Sequence, residues 1–97
     1  MAKFHLKPID AHGRRIRKGD VVRVIGIPDL CAMHPERRAE TEPVFLHLRG
    51  QCKRIDEFNR YGFAELFFKI REGPLAGWHS VAIEPSLLLR QNARNAA

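Results

Sequence analysis

Only two cysteines, one tryptophan and one tyrosine occur in these 97 residues. Cys31 and Cys52 are too few for a disulfide framework, which points to a chain with reduced thiols. Crossing a bilayer takes about 20 consecutive apolar residues. No segment approaches that, so no membrane contact is expected. The opening stretch carries Lys3, His5 and Lys7 and has no apolar centre, unlike a secretory signal. Together these absences predict a cytoplasmic protein. Acidic residues are also scarce, with 11 Asp and Glu against 17 Lys and Arg and a net charge of +6. An excess of this sign favours acidic partners but does not select a fold. There is no internal repeat. No glycine loop joins a strand to a helix in the way that cradles phosphate, because Gly73 and Gly77 flank a hairpin instead.

What is present is a hydrophobic fraction of 44%, enough for a packed core. A chain of this length has room for one core only. Lys18-Gly19-Asp20-Val21-Val22-Arg23-Val24 reads as a tight turn feeding a strand over 20–27, with Arg23 outward between Val22 and Val24. Pro28 ends it. Three more strand-like runs follow, Gln51–Phe58, Phe63–Ile70 and Trp78–Ile83, separated by Asn59-Arg60-Tyr61-Gly62 and by Gly73–Gly77. In the Phe63–Ile70 run, Ala64, Leu66, Phe68 and Ile70 share one face; Phe63, Glu65, Phe67 and Lys69 share the other. Val22, Val24, Leu66, Phe68, Val81 and Ile83 are expected to form one core, joined by Cys52 and Ile55. Glu84–Leu88 reads as a short helical turn. This order predicts a mainly β chain, a small barrel of about five strands with a short helical insertion after the first.

The insertion falls in residues 28–50. Pro35–Glu40 is read as one helical turn with Pro35 at its first position. Thr41 is read as the N-cap of a second, with Gly50 just past its end. Val44 and Leu48 then share a face that packs on the barrel. Residues 1–15 are expected to form an extended lead-in, 16–89 the barrel and 90–97 a flexible tail.

Cys31, His34, His47 and Cys52 have spacings that approach those of a zinc site. Their order differs from the common finger, and Cys52 falls in a strand, so no metal is expected. No oxyanion-hole motif accompanies the cysteines, and the histidines do not cluster, so no catalytic residue is assigned. Two surfaces remain. Residues 1–27 carry a net +5, residues 28–50 a net −1 and residues 51–97 a net +2. Within the first, Arg14, Arg15, Arg17 and Lys18 are candidate nucleic-acid contacts, or simply a solvated turn. The second surface is aromatic. Tyr61, Phe63 and Trp78, rimmed by Arg23 and Arg54, combine the residue types that anchor protein interfaces. Phe67 is expected to pack beneath the 28–50 excursion, and Trp78 either packs there or stands free.

Gly19-Asp20-x-Val22-Arg23-Val24, the long excursion, Arg49-Gly50 and Ile83-Glu84-Pro85-x-x-Leu88 resemble an SH3-like barrel. The chain is most similar to the barrel domain of the nitrile hydratase β subunit and to small accessory subunits of photosynthetic electron transport. The resemblance covers residues 16–89. It implies a non-catalytic accessory module without a cofactor of its own, docked on a protein partner that is redox-active or metal-containing. Separately, Glu72-Gly73-Pro74-Leu75-Ala76-Gly77 resembles the start of a KOW motif, known from ribosomal and transcription-elongation proteins. That likeness implies the alternative, a barrel touching nucleic acid through the basic lead-in and the Gly73–Gly77 loop.

Overall fold

Period-two alternation predicts which side of each strand is buried, and the burial follows it closely. The computed structural model describes residues 5–91. Its elements are β1 (Val21–Val24), α1 (Pro35–Leu48), β2 (Cys52–Arg54), β3 (Glu57–Phe58), β4 (Ala64–Ile70), β5 (Gly77–Ile83), a 3₁₀ turn (Pro85–Leu87) and β6 (Leu88–Arg90). All strand pairs are antiparallel, in two three-stranded sheets ordered β2-β1-β6 and β3-β4-β5. The described residues are therefore mainly β with one α-helix. The two sheets are not joined into one closed ladder among the described residues. Val22, Val24, Leu66, Phe68 and Ile83 lie in one buried cluster, with Val81 packed partly buried against it.

The run read as one strand over Gln51–Phe58 is two. The Ile55 N–H donates to the Asp20 carbonyl, beside β1, whereas the Asp56 N–H donates to the Glu65 carbonyl of β4. The chain changes sheets between these two residues. Cys52 is a correction, because its side chain is exposed. Cys52 and Ile55 are three residues apart, so period two puts them on opposite faces. Ile55 is fully buried, and Lys53, cross-strand from Val22, takes the inward position expected of Cys52. The Lys53 ammonium lies 5.1 Å from the Phe68 ring centroid, so the side chain covers the core edge with its stem while its charge reaches water.

The insertion is also simpler than expected. One helix runs through Thr41 and Pro43, and its cap is His34, whose Nδ1 accepts from the Glu36 N–H at 3.2 Å. Pro43 supplies no N–H for the bond to the preceding turn and disfavours helix at Glu42. Burial of Val44, Phe45 and Leu48 outweighs that loss and holds the last turn against the core. Gly50, at φ +89°, completes the exit from the helix.

The turn at Asp10 and the end of β6 are tied together. Asp10, only 4% exposed, accepts from the N–H groups of His12, Arg14 and Arg90. The Ala11 N–H donates to the Leu88 carbonyl, so the lead-in is pinned across β6. Arg90, placed in the tail by the sequence, ends β6 opposite Val22. Residues 1–4 of the lead-in and 92–97 of the tail lie outside the described residues. Gly62, at φ +91°, is crossed closely by Leu6, whose backbone N and Cβ would each lie 2.9 Å from an added Cβ. Gly62→Ala is expected to cost about 1–2 kcal/mol through backbone strain and loss of this contact. Chemical denaturation would measure the change.

Candidate interaction surface

β4 and β5 pair over seven residues each, with Lys69 opposite Trp78, Phe67 opposite Ser80 and Glu65 opposite Ala82. These six side chains share the outer face. Phe67 and Trp78 are diagonal neighbours across the pair, and their rings stack with centroids 4.9 Å apart and planes 9° apart. The Lys69 ammonium lies 5.8 Å from the Trp78 ring, within cation–π range. Phe67 is nevertheless 57% exposed and Trp78 63% exposed. The expectation that Phe67 packs beneath the excursion is thus corrected. α1 spends its apolar residues on the central core and leaves this face open.

The remaining aromatic and arginine candidates lie elsewhere. Tyr61 is in the 59–62 turn, where the Asn59 side chain accepts from the N–H groups of both Tyr61 and Phe63. Arg60 lies over the Tyr61 ring at 5.4 Å. Phe63 is half-buried, and six strand residues place it about 20 Å from Lys69. Arg23 and Arg54 belong to the other sheet. Arg23 is exposed between Cys52 and Leu89, and Arg54 Nη1 donates to the Gly19 carbonyl at 3.3 Å. The aromatic partner of Trp78 is therefore Phe67. Its outward phase was legible in the sequence; its freedom from cover was not.

The basic cluster separates as well. Arg14 is structural. Its Nη2 donates to the Arg90 carbonyl at 2.9 Å, and its Nε lies 3.5 Å from the Asp10 carboxylate. Lys18 makes an exposed ion pair with Glu57 at 3.4 Å. The Arg15 and Arg17 guanidinium groups have no ion-pair partner among the described residues. With Arg90 and Asp20 they line a polar cleft of about 130 Å³.

The cysteine–histidine quartet does not converge. His34 and His47 stand at opposite ends of α1, thirteen residues and about 20 Å apart, too far to share an ion. No group of three or more His, Cys, Asp or Glu is placed to hold a metal among the described residues. The Asp29 carboxylate, which accepts from the Cys31 N–H at 2.9 Å, raises the pKa of the neighbouring thiol and favours its protonated, less nucleophilic form. No helix of the described residues is long and apolar enough to cross a membrane. Comparison of the chain with protein-family models, with curated proteins and with solved structures finds no match.

Proposed function

We propose that this chain is a non-enzymatic, cytoplasmic accessory module that recognises a protein through the outer face of β4 and β5. The observation that carries the reading is the Phe67–Trp78 stack, two large rings left in water on a rigid sheet. Protein interfaces draw much of their energy from a few anchor residues, among which tryptophan is enriched. Being already stacked, the two rings lose little side-chain entropy when a partner arrives. The strand order supports an SH3-like reading of the fold. Counted together as one strand bent at the sheet change, the separate strands β2 and β3 bring the six to five, and α1 follows the first as an insertion. By its resemblance to accessory barrels of that type, the partner is a redox or metal-containing protein.

The test is a pull-down from the native host with the parent chain and with Trp78→Ala. Loss of the exposed indole is expected to weaken capture by about 2 kcal/mol or more while the melting temperature stays near that of the parent. Phe67→Ala is expected to act in the same direction. A partner retained equally by all three proteins would defeat this reading.

Nucleic acid is the second reading, favoured by the guanidinium groups of Arg15 and Arg17, which have no ion-pair partner among the described residues and lie beside Arg90. Here the variants must be Arg15→Glu and Arg17→Glu alone, since a glutamate at 14 would face the buried Asp10. Oligonucleotide titration at two salt concentrations decides it. Phosphate contacts release counterions, so binding by this route falls steeply with salt and disappears in the double variant.

A further inference from the structure

Backbone registry exposes a second feature of β5, carried by its main chain rather than by the aromatic stack, although Trp78 belongs to both. The Asp56 and Asn59 N–H groups donate to the Glu65 and Phe63 carbonyls, and the Phe67 N–H donates to the Asp56 side chain at 2.6 Å. The odd-numbered residues of β4 therefore direct their backbone groups toward β3, and the even-numbered ones toward β5. Their register partners are Gly77, His79, Val81 and Ile83. It follows that Trp78, Ser80 and Ala82 aim their N–H and C=O groups away from the sheet, where no described residue meets them.

Proteins protect such edges by keeping them short, or by placing lysine, other charges, proline or bulges there. The edges offered by β2 and β6 are three residues long, each with a basic residue, and β3 has only two residues. β5 has seven, Gly77-Trp78-His79-Ser80-Val81-Ala82-Ile83, without a charge or a proline. Its side chains are also self-complementary about Ser80. An antiparallel second β5 centred there puts Trp78 opposite Ala82 of the other copy, the largest side chain beside the smallest. On the inner face, Val81 meets His79 of the other copy. Each cross-strand row on the outer face then runs from Lys69 and Trp78 of one copy to Ala82 and Glu65 of the other. The charges flanking the neutral strand are thus of opposite sign across the interface, although each chain carries +6.

We propose that β5 is a dimerisation edge, along which two copies of this chain pair antiparallel about a two-fold axis at Ser80 to form one six-stranded sheet. Such an interface is isologous, with the same strand contributed by both copies. Phe67, one strand in from the edge, stays open on both protomers.

Light scattering on size-exclusion fractions of the intact chain, over a concentration series, tests this. The expected result is a mass rising toward twice 11.2 kDa. Trp78 is the sole tryptophan, so its emission should shift to the blue as the dimer forms. Ser80→Pro removes an N–H that no strand of the same chain uses, which an edge tolerates, and should leave the chain folded and monomeric. Ser80→Lys, which sets two like charges face to face at the axis, should weaken association at least tenfold and keeps the test valid if the proline variant fails to fold. A parent that stays monomeric into the millimolar range overturns the proposal, even if the edge then accepts an extended peptide from another protein. So does a dimer that survives Ser80→Lys, or one that forms without moving the Trp78 emission.

Discussion

Phe68→Ala is expected to destabilise the chain by about 3–5 kcal/mol, the range for truncating a buried aromatic side chain. Phe68 is 5% exposed in the centre of β4 and shares its face with Leu66 and Ile70. His79, its cross-strand partner, stacks on the ring at 5.7 Å. His79 Nε2 donates to the Leu75 carbonyl at 2.6 Å, which fixes the imidazole and ties it to the Gly73–Gly77 loop. Deleting the ring leaves a cavity beneath a pinned imidazole and the Lys53 stem, with little freedom to collapse. Small domains have about 5–15 kcal/mol in total, so the loss is a large share of it and the melting temperature should fall markedly. Thermal and urea unfolding followed by circular dichroism would measure the loss. A melting curve like the parent's would mean that the inward face of β4 is not the core.

Asp10→Ala is expected to be comparably severe, at about 3 kcal/mol or more, because it removes a buried carboxylate that accepts from three part-buried backbone N–H groups, and hydrogen bonds to a charged group are worth roughly 1.5–3 kcal/mol each. The affected groups belong to His12, Arg14 and Arg90, so the change releases both the lead-in turn and the end of β6. The Asp10 carboxyl also gives stability a pH signature. Burial pushes its pKa up, but hydrogen bonds from the Arg90, Arg14 and His12 backbones and the nearby Arg14 guanidinium outweigh burial, so it lies below the ordinary 3.8. A carboxyl whose pKa is lowered by folding stabilises fully above its unfolded value and loses that contribution as pH falls through the folded one. This contribution should therefore be flat around neutrality and decline only below about pH 4. Asp10→Asn should be less stable at neutral pH and should lack that acid-dependent loss. Unfolding curves at several pH values would check both, and an Asn variant with the parent's acid profile would remove Asp10 as the cause.

The turn at Asp10 is legible in the sequence; its link to β6 is not. An aspartate two residues before a histidine and three before Gly13 has the form of a turn whose side chain accepts from the backbone ahead of it. Its long-range bond to Arg90 could not be anticipated, because it depends on residues 80 positions apart meeting in the fold. The same distinction separates Cys52 from Ile55. Their odd spacing already forbade a common face, yet the sheet change at Ile55–Asp56 rests on Asp20 and Glu65, one on each side of the break.

The sequence by itself determined the phase of β1, β4 and β5. Val22 and Val24 inward, Leu66 and Phe68 inward, and Phe67 outward all follow from the pleat, a property of consecutive residues. It also determined the turn at Asn59–Gly62, the start of the helix at Pro35 and the exit at Gly50, where local backbone preference decides. The tertiary structure alone decided what covers each outward face. Whether Phe67 and Trp78 are sheltered depends on where α1 sends its apolar side chains, and these go to the central core. It decided the continuity of the helix through Pro43, since packing of Val44, Phe45 and Leu48 overrides a local penalty. It also divided the basic cluster, drawing Arg14 into the fold through Asp10 and leaving Arg15 and Arg17 without an ion-pair partner among the described residues. Side-chain direction is local, while cover, pairing and charge neutralisation require segments far apart in the chain to meet.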